Sequence, residues 1–170
     1  GHIGRFALAK NHPFLVDIFC ALHKIQPDSV LLLIGEGDDE QIIRDKVKNL
    51  GLEDAVIFYG VTKDIPQMLW AMDAFVLPSL FEGNPVVGIE AQAASTPCFF
   101  ADNITKMCKL TNIVDYISLN DSPEEWAKKI LKVNGKKREH TKPDMEKNGY
   151  NIKSVAAMVQ KIYETSLMEV

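Results

Sequence analysis

Short apolar runs alternate along this chain with longer stretches of helical period. Leu15, Ile18, Phe19, Leu22 and Ile25 recur at helix spacing until Pro27 stops them. Val30 to Ile34 reads as a buried strand. Ile43, Val47 and Leu50 mark a second amphipathic helix, with Gly51 placed to cap its C-terminus. A strand over Ala55 to Tyr59 follows, then a short helix carrying Ile65, Met68, Leu69 and Met72, then a strand over Ala74 to Leu77. Pro85 to Ala94 is an almost wholly apolar helix with proline in its first turn and Asn84 as its N-cap. Cys98 to Ala101 and Tyr116 to Leu119 are the last two strands, and the opening strand ends near Phe6.

Strands that are continuously apolar, rather than alternating, predict a sheet covered on both faces. With right-handed crossovers this is an α/β fold, a Rossmann-like doubly wound parallel sheet of about six strands. Ligands in such folds bind beyond the carboxyl ends of the strands. The loops after Phe6, Ile34, Tyr59, Leu77 and Ala101 are therefore the places to look for chemistry. From residue 122 the pattern turns helical. Trp126, Ile130 and Val133 bury one face, Asn134-Gly135 breaks the helix, and Lys136 to Lys147 reads as a solvated loop or helix face, with a membrane-surface or anion patch as the alternative. Ile152, Val155, Val159, Ile162 and Tyr163 mark a closing amphipathic helix. All 170 residues fit one domain.

Composition narrows the function classes. A formal charge of −4 and a pI of about 5.6 speak against a nucleic-acid partner. Apolar runs such as Val30 to Ile34 are far shorter than the roughly 18 residues of a membrane span. No leader precedes the first strand, so a cytoplasmic location is expected. Cys20, Cys98 and Cys108 each lie in or beside apolar sequence and read as reduced core residues. The abrupt start at Ile3-Gly4-Arg5-Phe6 suggests a domain excised from a longer protein.

Four features bring chemistry to the strand ends. Arg5 and Lys10 are two cations five positions apart, suited to gripping a diphosphate. Leu77 to Pro85 leads a strand through Gly83 into a helix N-terminus, where backbone N–H groups make an anion site. Glu90 sits in the apolar helix and is expected to be buried, needing sugar hydroxyls or an internal cation as partners. Glu82 borders the same edge, either at the cleft or as a solvated charge. Gly35-Glu36-Gly37 lacks both the Walker and the full dinucleotide pattern and reads as a turn. The four histidines have no metal-ligand spacing, and Ser79 has no nucleophile-elbow frame.

The segments Gly4-Arg5-Phe6, Lys10-Asn11, Leu33 to Gly37, Phe58-Tyr59-Gly60 and Pro78 to Ala91 together resemble the C-terminal half of retaining glycosyltransferases of family 4. The hallmark is a pair of glutamates separated by seven residues, here Glu82 and Glu90. Lys10 to Phe19 and Ile89 to Ala93 are similar to the branch that builds bacterial capsular polysaccharides and exopolysaccharides. The resemblance implies the nucleotide-sugar half of a GT-B enzyme, a hexosyltransferase using a UDP- or GDP-linked donor, UDP above all, without a metal. Arg5 and Lys10 would hold the diphosphate, Glu90 the ribose hydroxyls, and Glu82 with Gly83, Asn84 and Pro85 the transferred sugar. The loop after Gly60 would lie near the base. A glycan or lipid-linked acceptor would bind a missing N-terminal half, in the intact protein at the inner face of the membrane, and the isolated domain would be inactive. The alternatives are a GT-B nucleotide-sugar epimerase and a non-catalytic nucleotide-binding or assembly module. Two departures stand out. Ser95-Thr96 precedes Pro97 where relatives often have glycine, and Asn103 to Met107 lacks a Gly-Gly pair.

Overall fold

A computed structural model describes residues 1–168. Six parallel strands form two three-stranded sheets. The first joins β1 (His2–Ile3), β2 (Leu31–Ile34) and β3 (Val56–Gly60), and the second β4 (Phe75–Leu77), β5 (Cys98–Ala101) and β6 (Val114–Ile117). They meet at β1 and β4, where Val76 N donates to Gly1 O at 2.9 Å and the His2 ring Nδ1 donates to Val76 O at 2.8 Å. The spatial order β3-β2-β1-β4-β5-β6 reverses direction between β1 and β4, and that reversal opens a crevice at the carboxyl ends of these two strands. This is the expected Rossmann-like architecture.

Helices α1 (His12–Ile25), α2 (Glu40–Asn49), α3 (Ile65–Ala71), α4 (Val86–Ala93) and α5 (Pro123–Leu131) pack on the sheet, and α6 (Lys142–Lys147) and α7 (Ile152–Met168) follow. Leu33, Phe75, Leu77, Phe99 and Phe100 are essentially inaccessible in the central strands. Trp126 of α5 is fully buried, stands edge-on to Phe14 of α1 at 5.9 Å and donates through Nε1 to Ser118 O at 2.9 Å. Ser122 caps α5 by accepting from Glu125 N.

Several expectations need correction. β1 stops at Ile3, so Phe6 lies in the following loop. The two edge strands are not continuously buried: β3 alternates, with Ile57 and Tyr59 about half exposed, and Asp115 of β6 is exposed. The Lys136 to Lys147 segment is mostly exposed, as a solvated loop and the short helix α6, but it is anchored at a few side chains. Thr141 and Met145 are buried, and Arg138 Nη2 donates to Trp70 O and Met72 O at the end of α3. α7 leaves Ile152, Met158, Val159 and Tyr163 exposed. Ser95 takes the left-handed conformation at φ 59°. The steric cost of about 1–2 kcal/mol is offset in part by its hydroxyl contact with Thr141 Oγ1 at 2.9 Å. No helix among the described residues is long and apolar enough to cross a membrane.

Candidate active site at the strand ends

The loop after β1 runs backbone to backbone along the loop after β2. Gly4 N donates to Ile34 O at 2.9 Å, Phe6 N to Glu36 O at 3.0 Å, and Asp39 N to Phe6 O at 3.2 Å. Only glycine fits this approach. A Cβ on Gly35, whose φ is +137°, would lie 2.1 Å from Gly4 O, and one on Gly37 would lie 2.3 Å from Phe6 O. Gly35 and Gly37 are thus more than turn residues: they let the Arg5 loop lie against α2's approach. Gly60, at φ +78°, ends β3 beside them and accepts from Gly35 N at 2.9 Å. Arg5 lines an open depression of about 790 Å³ with Gly35, Glu36, Gly37, Asp38 and Glu40. Its Nη2 lies 3.3 Å from Asp38 Oδ2 in a pair whose side chains are 70% and 93% exposed.

Lys10 faces the other way, across the crevice. A single 3-10 turn, Leu8–Lys10, leads into Asn11, which enters α1 from the left-handed region at φ 55°. Three contacts then join this loop to the one after β4. Leu80 N donates to Ala9 O at 2.8 Å, Asn11 Nδ2 to Pro78 O at 3.1 Å, and Lys10 Nζ to Glu82 Oε1 at 2.6 Å. The Lys10 and Glu82 side chains are only 22% and 12% exposed, so Glu82 is no solvated loop charge. The lysine stem crosses Gly4, where a Cβ would meet Lys10 Cδ and Cε at 3.3 Å. Ser79 Oγ donates to the same Glu82 oxygen at 2.8 Å.

Beneath Lys10 lie two buried histidines, His2 and His12. The His2 and His12 rings meet edge-on at 4.7 Å, and His12 stacks on Phe6 at 4.4 Å. Burial holds both neutral. His12 is lowered to about 4 by burial and then by the Lys10 charge, and His2 falls well below its usual range by burial and then by His12. His2 Nε2 and both His12 ring nitrogens have no hydrogen-bond partner among the described residues.

α4 carries the chief correction. Glu90 is exposed, because Gly88, Ile89, Ala91 and Gln92 take the buried side of the helix while Val86, Glu90 and Ala93 share its outer stripe. The buried polar residue of this apolar helix is instead Gln92. Its Nε2 donates to Gly88 O and Cys108 O, and its Oε1 accepts from Leu110 N, Thr111 N and Thr111 Oγ1. The rule that flagged Glu90 would have found it, had amides been weighed with carboxylates. Gln92 thereby holds the loop after β5 against α4. That loop reaches the β4 loop twice, through Asn103 Nδ2 to Leu80 O and through Cys108 Sγ to Asn84 Oδ1 at 3.4 Å. Asn84 is therefore not the helix cap. Pro85 occupies that position without a side-chain hydrogen bond, leaving the first N–H groups of α4 uncapped by any side chain. Gly83 stands in open space, with nothing within 4 Å of a Cβ placed on it. The structure thus brings Lys10, Glu82 and the start of α4 together, sets Arg5 on the β2 side, and puts Glu90 on the outer stripe of α4. Among the described residues no three His, Cys, Asp or Glu side chains are placed to hold a metal ion.

Residues 1–152 match the family model described as glycosyl transferases group 1. The chain belongs to this family. It is 32% identical over 170 residues to the putative glycosyltransferase EpsF of Bacillus subtilis, covering 98% of this chain and 44% of that one. It is 32% identical over 124 residues to an Escherichia coli α-1,3-galactosyltransferase that acts with UDP-Gal on GlcNAc-diphosphoundecaprenol, covering 70% of this chain and 32% of that one. The chain thus spans less than half the length of the curated relatives it matches. Among solved structures, the pneumococcal O-GlcNAc transferase GtfA in complex with UDP and GlcNAc superposes with a TM-score of 0.79 at 18% identity, over 98% of this chain and 35% of that one. Anabaena HepE in complex with UDP gives 0.72 at 24% identity, over all of this chain and 48% of that one. At such identities these likenesses establish the fold alone.

Proposed function

We propose that this chain is the donor-binding half of a retaining glycosyltransferase of family 4. It takes a UDP-linked sugar and serves a growing bacterial polysaccharide or a lipid-linked acceptor. The observation that carries the reading is the Lys10–Glu82 contact across the switch point, with the uncapped start of α4 beside it. Glycosyl transfer breaks the bond between the anomeric carbon and the diphosphate, leaving negative charge on the phosphate oxygen while the sugar gains oxocarbenium character. Fixed cations and N–H groups at that oxygen lower the barrier by preorganised electrostatics. Lys10 and Arg5 hold the diphosphate, with Arg5 exchanging its exposed Asp38 partner for phosphate. The backbone of Gly83, Asn84 and Pro85 completes the anion site. Glu82 faces the transferred sugar, Glu90 accepts from the ribose hydroxyls, and the loop after Gly60 borders the base. Protein cations do here what a resident metal would otherwise do, so turnover is expected to survive EDTA.

EpsF, the undecaprenol-linked galactosyltransferase and the amylovoran glycosyltransferase AmsD of Erwinia amylovora support the polysaccharide setting. In the intact protein the acceptor binds the other half, at the inner face of the membrane, and this half alone does not turn over. The test is to incubate the intact protein with radiolabelled UDP-glucose, UDP-galactose and UDP-N-acetylglucosamine and a bacterial lipid extract. Label moving into the lipid or polysaccharide fraction, with α configuration from an α-linked donor, is the expected result. UDP binding with no transfer to any acceptor contradicts the reading. So does interconversion of donor epimers without acceptor.

A further inference from the structure

Ser79 is fully buried where β4 gives way to the loop before α4, and its hydroxyl donates to Glu82 Oε1 at 2.8 Å. The same oxygen accepts from Lys10 Nζ at 2.6 Å. Glu82 Oε2 has no hydrogen-bond partner among the described residues. Two donors converging on one oxygen fix the rotation of a carboxylate that would otherwise turn freely about its last bond. The two donors differ in kind. Lys10 is a point charge with three N–H groups on a flexible stem, which an arriving diphosphate draws toward itself. Ser79 is short, buried and attached to the end of a central strand, so its hydroxyl cannot follow.

We propose that Ser79 is the positioning residue of Glu82: it keeps Oε1 engaged when Lys10 turns to the diphosphate, so that Oε2 stays directed at the transferred sugar. This deepens, and rests on, the reading of Glu82 as the carboxylate that faces that sugar. Its consequence is a separation of effects. A nucleotide without a sugar has nothing for Oε2 to meet, so loss of Ser79 spares UDP binding and falls on turnover.

The test compares wild type and Ser79→Ala in the intact protein with whichever UDP-sugar the wild type consumes. The kcat of Ser79→Ala is expected to fall by about ten- to a hundredfold. The KM for the donor and the UDP dissociation constant should stay within about twofold, with a melting temperature close to that of the wild type. A crystal structure of Ser79→Ala with UDP supplies a readout without turnover, in which Glu82 should be rotated or split between conformers. An unchanged kcat, or a single Glu82 conformer superposing on that of the wild type, would overturn the proposal. Equal losses of UDP binding and kcat would also overturn it, marking Ser79 as a support of the loop fold alone. A wild-type protein that binds no UDP would instead sink the donor reading beneath it.

Discussion

The two cations at the strand ends sit in opposite physical settings. Arg5 and Asp38 pair at 3.3 Å in nearly full contact with water, whereas Lys10 and Glu82 pair at 2.6 Å with most of both side chains covered. An exposed pair contributes little to stability and exchanges partners freely. A covered pair is strongly coupled, and removing one member strands the other. One loop thus presents a solvated, replaceable pair, and the other a covered carboxylate, Glu82, held by both Lys10 and the buried Ser79. Packing produces the difference. Gly35 and Gly37 bring the Arg5 loop against a neighbouring backbone and leave its side chain outside, while Gly4 lets the Lys10 stem lie flat across the sheet end.

The sharpest way to break this contrast is Lys10→Ala. It should cost about 2 kcal/mol of stability, because among the described residues Glu82 then keeps only the Ser79 hydroxyl, and it should abolish measurable UDP binding. Chemical denaturation and calorimetry read the two effects separately. Next comes acid. His2 and His12 are held below their unfolded values, so their contribution to stability is complete above the unfolded value of 6.5. It is lost as pH falls from there toward about 4, where His12 takes its proton in the folded state. The slope is up to about 1.4 kcal/mol per pH unit for each histidine. His12→Gln should flatten that part of the curve in denaturant titrations from pH 7 to 4.

Glu90→Ala separates binding from stability. On the exposed stripe of α4 it should shift stability by no more than about 0.5 kcal/mol. It should weaken UDP at least about tenfold through lost charge-assisted hydrogen bonds to ribose. Arg5→Ala is the mildest, neutral for stability within about 0.5 kcal/mol and weakening UDP severalfold. A large loss of stability in Arg5→Ala would erase the distinction between the two cations.

Much of this was legible in the chain. The stripes at Leu15 to Ile25 and at Trp126 to Val133 mark α1 and α5, and the runs at Val30 to Ile34 and Cys98 to Ala101 mark central strands, with Val30 outside β2 and Ile25 exposed, because a buried element leaves a periodic signature. β1 was overdrawn, since Phe6 is buried by the loop and its aromatic neighbours without belonging to a strand. Glu90 was misread because small and apolar residues on the outer stripe of α4 imitate burial all round. Ser79, Asn11 and Asn103 stand in segments the sequence singles out, but nothing there discloses their bonding partners. Each acts by reaching a residue far away in sequence, and single-residue chemistry does not disclose such partners. His2 and His12 were weighed only as metal ligands, and their role as a neutral floor needed the fold.

The central claim is that the crevice between β1 and β4 is a nucleotide-sugar donor site anchored by Lys10 and Glu82. It is tested most directly by calorimetric titration of UDP, GDP and ADP into this chain with EDTA present, for the wild type, Lys10→Ala and Glu90→Ala. Selective binding of UDP by the wild type, lost in Lys10→Ala and weakened in Glu90→Ala while the latter keeps its melting temperature, is the result expected. UDP binding that is indifferent to both substitutions, or no selectivity among the three nucleotides, would contradict it.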